Sequence, residues 1–263
     1  MVNKVVILMT ACISPNQADN TKLLDSLFRK VQYLDAIRFY LKESKCNIVF
    51  CENSGTDISA EFSSFEQNRL EFLTFIGRER NGKGYGEAKI IEYAIRNSKF
   101  IKEAAIIIKI TGRIKVRNIN DISTSIPQRI NKPYVKISFY SSLGLKTSSV
   151  CFLATKEWLL NTMAHYIRNF SNLTEKEIEN FIFKSIVEDS ALRIFRLNPV
   201  LDGICAGTNT PYGNITDFKH KHNHFCNLSR IYKSRNDILH FSITWSIWRW
   251  YSALNIFSKL HKE

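Results

Sequence analysis

The stretch Ile106-Ile107-Ile108-Lys109-Ile110-Thr111-Gly112-Arg113 decides how this chain folds. An apolar run stops abruptly in Lys109, Thr111, Gly112 and Arg113, the pattern of a buried strand leading into a tight basic turn. In open α/β sheets ligands bind beyond the carboxyl ends of the strands, so a basic turn there suits an anion, with phosphate the first candidate. The plainer alternative is a strand end whose Lys and Arg are solvated.

Working outward, residues 5–10, 47–51, 70–75 and 104–110 read as strands. Residues 21–42 predict a helix, with Leu24, Leu27, Phe28, Val31, Leu34 and Ile37 as its apolar face, and residues 87–97 predict another. Residues 77–86 read as a Gly- and Arg-rich loop. Strands alternating with helical patterns imply βαβ units, hence an α/β fold with a mostly parallel, Rossmann-related sheet flanked by helices. Farther on, 134–140 and 150–154 are strand-like and 156–169 is helical. Residues 174–194 predict a helix opened by a capping box, Thr174 with Glu177, and 200–204 a short strand. No clean linker appears. The expectation is one domain over 1–218, followed by a basic amphipathic appendage over 219–263.

The chain has 263 residues, 44% of them hydrophobic, enough for a large core and against disorder. Its net charge of +13 favours anionic partners: nucleic acid, acidic headgroups or phosphorylated small molecules. Cys12, Cys46, Cys51, Cys151, Cys205 and Cys226 contain no CxxC pair and several sit in apolar runs, so a reducing compartment without a disulfide framework is expected. The N-terminal apolar run is too short for a signal-peptide core and fits a first strand. No apolar stretch is long enough to span a bilayer.

Four polar clusters fall at predicted strand ends: Thr10-Ala11-Cys12; Glu52-Asn53-Ser54-Gly55; Asn81 through Glu87, which includes Lys83, Gly84 and Gly86; and Lys109 through Arg113, which includes Thr111 and Gly112. In a parallel sheet successive strand ends share one edge, so these loops converge. Gly82-Lys83-Gly84-Tyr85-Gly86 has neither P-loop nor dinucleotide-fingerprint spacing, but its glycines admit a close ligand and a helix start favours anions. Glu188-Asp189 sits late in the predicted 174–194 helix; adjacent carboxylates face different ways, so at most one acts, and the plainer alternative is a solvated surface pair. His220, His222, His224 and Cys226 share one side if the segment is extended, a set able to bind a transition metal, but among lysines and without zinc-finger spacing a polar basic loop is the favoured reading. Residues 237–260 predict a helix rich in Trp and Phe, flanked by Lys and Arg, which suits a membrane interface or packing on the domain's own core.

Taken together, Glu52-Asn53-Ser54-Gly55, Arg80-Asn81-Gly82-Lys83-Gly84, Glu87-Ala88, the segment from Leu143-Gly144 to Trp158, and Glu188-Asp189 resemble, over about residues 4–205, a GT-A-like glycosyltransferase of bacterial O-antigen and capsule biosynthesis. The resemblance implies a nucleotide-sugar donor and a lipid-linked glycan acceptor. It also implies a cytoplasmic enzyme, peripheral on the inner face of the cytoplasmic membrane, with no nucleic-acid partner. Where such enzymes carry an Asp-x-Asp metal motif this chain has Lys109-Ile110-Thr111-Gly112-Arg113. A fixed guanidinium can hold phosphate oxygens bidentately, so transfer without a metal or other cofactor is expected. The resemblance makes Asp189 the base, Glu188 its second, and Arg113 the phosphate-side catalytic group. Donor contacts then fall on Thr10, Ala11, Cys12, Glu52, Asn53, Ser54, Gly55, Lys83, Gly84, Gly86, Glu87, Lys109, Thr111 and Gly112. A sugar-phosphate nucleotidyltransferase is the competing enzyme, but residues 10–15 lack the glycine of its signature loop. A non-catalytic binder of membrane or nucleic acid is the third reading and rests on charge alone.

Overall fold

The structure, a computed structural model, describes residues 4–15, 25–77, 81–127, 130, 134–137, 148–173, 176–189, 192–194, 199–205 and 209–212. The strands are β1 (Val5–Ala11), β2 (Asn47–Glu52), β3 (Leu70–Thr74), β4 (Ile106–Thr111), β5 (Lys115–Val116), β6 (Val135–Ile137), β7 (Cys151–Thr155), β8 (Leu192–Ile194) and β9 (Leu201–Asp202). The helices are α1 (Ser26–Glu43), α2 (Ser64–Gln67), α3 (Lys83–Asn97), α4 (Lys99–Glu103), α5 (Ile119–Thr124), α6 (Lys156–Asn169) and α7 (Ile178–Glu188). The histidine segment and the whole appendage from 219 lie outside the described residues.

Seven strands form one sheet in the order β3-β2-β1-β4-β7-β6-β8. Within it β7 alone runs against its neighbours, so the expected mostly parallel α/β sheet is what the chain forms. Each central strand is apolar on both faces, as a sheet covered on both sides requires. Ile7 and Met9, Ile48 and Phe50, and Ile106, Ile108 and Ile110 join Tyr33, Ala36, Ile37 and Tyr40 of α1 in one core. The alternate residues Val6, Leu8, Val49, Ile107 and Phe152 are buried on the other face, where α3 packs on β1 and β2 and α6 packs on α3. Beyond β4 the chain turns through Arg113 into β5, which pairs antiparallel with β9.

Three expectations shift. The apolar face read for the first helix meets the core only in part: Ile37 is buried with Arg29, Tyr33, Ala36 and Tyr40, and Leu34 packs against the core, while Leu27, Phe28 and Val31 are exposed and Leu24 lies outside the described residues. Polar anchors set this rotation, since the Tyr40 hydroxyl donates to Ile114 O (2.7 Å) and accepts from Val116 N (2.8 Å). The last four residues of the glycine-rich loop, Lys83 to Gly86, form the first turn of α3. The helix expected over 174–194 runs only from Ile178 to Glu188 and is followed by β8, and Thr174 of the expected capping box lies outside the described residues.

Candidate functional site

The parallel strands β1, β2 and β4 end together, and four of the predicted clusters meet at this carboxyl edge. The register places Ala11 beside Glu52 and Thr10 beside Thr111. Glu52 is fully buried, and its carboxylate accepts from the backbone N–H groups of Ile13 (2.9 Å), Ser54 (2.9 Å) and Thr56 (3.0 Å) and from the Ser54 hydroxyl. A buried carboxylate satisfied in this way is an organiser: it ties the loop after β1 to the loop after β2. Ser54 also accepts from Ser14 N at 3.1 Å, and Asn53 N donates to Ala11 O at 3.2 Å. Gly55 has φ +81°, where a side chain would be strained. The Asn53 Oδ1 is buried without a hydrogen-bond partner among the described residues.

On the α3 side of the sheet Lys109 has 0% exposure. Its ammonium is bonded to the Glu87 carboxylate and to the Ser149 carbonyl, with the Thr111 hydroxyl at 3.5 Å, and Thr10 donates to the same Glu87 oxygen at 3.3 Å. Thr10, Glu87, Lys109 and Thr111 are therefore brought together, but as an internal neutral cluster. This departs from the expected exposed basic residue facing phosphate. The cause is strand alternation: Lys109 lies on the Ile107 face, under α3, where an unpaired ammonium is prohibitively costly. Gly84 belongs to packing too, since a Cβ there would meet Tyr166 Oη at 3.1 Å and Ile178 Cβ at 3.3 Å. Gly86 lies beside Asn53 Nδ2, and Lys83 is exposed at the helix start.

On the α1 side the arrangement differs. Arg29 Nε donates to Cys12 O at 2.9 Å, and Cys12 N donates to the Tyr33 hydroxyl at 3.0 Å. Gly112 lets β4 approach: a Cβ there would fall 2.9 Å from Thr10 O and 3.0 Å from the Tyr33 ring. Arg113 is 5% exposed; its Nη1 donates to Gln32 Oε1 (2.9 Å) and Ile204 O (3.3 Å), and its Nε has no partner among the described residues. No carboxylate of the described residues forms an ion pair with it. Burial holds the guanidinium below its usual pKa; nearby Tyr33 opposes the shift and the charge of Arg29 adds to it. Cys12 is shielded as well, its thiol pushed up to about 11 by burial.

Glu188 and Asp189 do not join this edge. Trp158 Nε1 donates to Asp189 Oδ2 at 2.7 Å, and Trp158 follows Thr155, which pairs with Ile106 at the amino end of β4. Five strand steps at about 3.3 Å each put that end ~16 Å from Thr111. The base role read for Asp189 does not fit this placement: β7 runs antiparallel to β4, and α7 descends from the carboxyl edge to the opposite one. What α7 does present at the carboxyl edge is Glu179, whose Oε1 accepts from the Ser149 hydroxyl at 2.7 Å. Tyr166 lies between Glu179 and Glu87; burial, then these two charges, push its pKa up. The sequence gives no sign of Glu179, an ordinary helix-surface residue by pattern. Arg29 had a faint signal, a cation four residues before Tyr33 on the helix face opposite Leu27 and Val31.

No family model matches the chain, and no curated protein is detectably similar in sequence. Among solved structures it is similar to the glycosyltransferase GlyE of Streptococcus pneumoniae TIGR4, at 10% identity over 74% of this chain and 46% of that one, TM-score 0.42. The apo form of GlyE gives 8% identity over the same shares and a TM-score of 0.45. A cytidylyltransferase from Leptospira borgpetersenii serovar Hardjo-bovis (strain JB197) gives 11% identity over 75% of this chain and 77% of that one, TM-score 0.43. The chain spans about half the length of the GlyE chains it matches. At these values no substrate and no residue role passes to this chain.

Proposed function

We propose that this chain is a glycosyltransferase that moves a sugar from a nucleotide-sugar donor to a lipid-linked glycan acceptor of surface polysaccharide, without a metal ion. The observation that carries this reading is Arg113: a buried guanidinium at the carboxyl edge of parallel strands, whose Nε has no partner and whose Nη1 has only neutral acceptors among the described residues. A phosphate oxygen, being charged, competes well against a Gln amide and a backbone carbonyl for those donors. In the transfer, the acceptor hydroxyl oxygen bonds to the anomeric carbon as the bond from that carbon to the diphosphate oxygen breaks. The bonding pair leaves with the diphosphate, whose growing charge Arg113 stabilises. The hydroxyl proton passes to a carboxylate, and Glu179 takes that role here in place of Asp189, because it stands at the same edge. Glu52, Arg29 and Tyr33 hold the surrounding loops in place.

The test is turnover of UDP-, GDP-, CMP- and dTDP-sugars in EDTA, with the parent chain and with Arg113→Ala. Turnover should survive chelation and fall on the order of 10²–10³-fold in Arg113→Ala. Near-normal turnover of the variant, or loss in EDTA restored by Mn²⁺, overturns the assignment. Release of pyrophosphate from a nucleoside triphosphate and a sugar phosphate, with no turnover of any nucleotide-sugar, moves the chain to the nucleotidyltransferases.

A further inference from the structure

Helix α1 carries three apolar residues outside its core-facing stripe. Leu27 is 77% exposed, Val31 61% and Phe28 45%, and their i, i+1, i+4 spacing puts them on one stripe. The buried stripe of the same helix holds Arg29 and Tyr33. Clustered Leu, Phe and Val in contact with water cost free energy unless something covers them.

We propose that this stripe is where the protein docks on a phospholipid surface, which rests on the reading of the acceptor as lipid-linked. Three observations favour lipid over other occupants. The stripe offers roughly 300 Å² of apolar surface, well short of the ~800 Å² per partner that a stable protein interface buries. The acidic side chains at its ends have local partners: exposed Asp25 accepts from Phe28 N at 3.0 Å, and exposed Asp35 is ion-paired with Lys115, which offsets its charge toward anionic headgroups. The net charge of +13 adds long-range attraction to such a surface. The position also serves the chemistry. The first turns of α1 adjoin the carboxyl edge through Arg29 and Cys12, so docking there brings the candidate site to the membrane plane, where a lipid-linked acceptor presents its glycan.

Co-sedimentation of the full chain with vesicles of equal parts phosphatidylglycerol and phosphatidylcholine tests this, comparing the parent with the combined Leu27→Gln, Phe28→Gln and Val31→Gln variant. Glutamine keeps helix propensity, and all three sites are exposed, so the thermal melt should match the parent. The variant should bind vesicles at least on the order of tenfold more weakly, with unchanged nucleotide-sugar turnover in vesicle-free solution. Equal binding of variant and parent overturns the proposal and moves the contact elsewhere on the chain. No binding by the parent overturns it outright. A parent that sediments as a dimer without vesicles, and a variant that does not, also overturns it, in favour of a second copy on the stripe. Absence of nucleotide-sugar turnover in the parent instead sinks the glycosyltransferase reading and leaves the vesicle result standing.

Discussion

Lys109 and Arg113 leave the same strand within four residues of each other, yet one lies on the α3 side of the sheet and the other on the α1 side. Lys109 is enclosed with a carboxylate, a carbonyl and two hydroxyls, so its charge is spent inside the molecule. Arg113 is also buried, but among the described residues its hydrogen-bond partners are neutral and its Nε has none. Side-chain type and spacing gave both the same promise. Which helix covers each face divides them into a cation neutralised inside the molecule and one with no carboxylate partner among the described residues.

The sharpest way to break this contrast is to remove a counter-charge. Glu87→Ala strands the Lys109 ammonium in the interior and should cost about 3–5 kcal/mol in urea unfolding. Glu87→Leu combined with Lys109→Met should recover most of that loss. Arg113→Met, which strands no carboxylate, should change stability by no more than about 1 kcal/mol. If the Glu87 and Arg113 variants lose equal stability, the two cations do not differ as described.

A smaller effect tests the two edges of the sheet. Asp189→Ala leaves the buried Trp158 indole N–H without its acceptor and should cost about 1–3 kcal/mol, visible in a melt followed by tryptophan emission. Nucleotide-sugar turnover should stay within about twofold of the parent, because the residue stands at the amino edge. By contrast, Glu179→Gln should lower sugar transfer on the order of 10²–10⁴-fold while sparing donor affinity. Transfer abolished in Asp189→Ala at unchanged stability would return the base to Asp189.

The gentlest probe is pH. Burial pushes the Cys12 thiol up to about 11 and the Cys151 thiol to about 12, against an ordinary value of 9.0, and raises Cys51 further. Below pH 9.0 both folded and unfolded chains hold these protons, so this contribution is fully present. As pH rises, the unfolded chain releases them first, the folded chain binds more protons, and stability falls through the range 9 to 12. Denaturation midpoints at stepped alkaline pH should show that decline. Cys12→Ser and Cys151→Ser should flatten it, and an identical slope in those variants removes the thiols as its source.

The strand at Ile106–Thr111 was legible because six consecutive positions carry β-branched residues broken only by Lys109, and strand formation there is a local matter. The same holds for α6, whose predicted span of 156–169 is the one observed. Where long-range packing chose between local options, the pattern misled. Hydrophobicity puts Leu24, Leu27, Phe28, Val31, Leu34 and Ile37 on one face of α1; Ile37 and Leu34 do meet the core, while Arg29, Tyr33 and Tyr40, hydrogen-bonded to Cys12, Ile114 and Val116, take the place of Leu27, Phe28 and Val31. The glycines of 82–86 suggested a loop, and Gly84 turned out to make room for Tyr166 and Ile178, residues some eighty or more positions away in the chain.

From its residues alone, then, this chain determined a parallel α/β sheet and the gathering of polar clusters at its carboxyl edge, because apolar periodicity and strand direction act within a few residues. Only the tertiary structure decided that Lys109 is neutralised by Glu87, that Arg113 meets no carboxylate among the described residues, and that Glu179 stands at that edge while Asp189 stands at the other. These outcomes depend on strand order and on β7 running antiparallel, which set the direction of α6 and α7 and so which end of each helix meets the site. A charge's role follows from what lies within a few ångströms of it, and that neighbourhood is assembled from segments far apart in the chain.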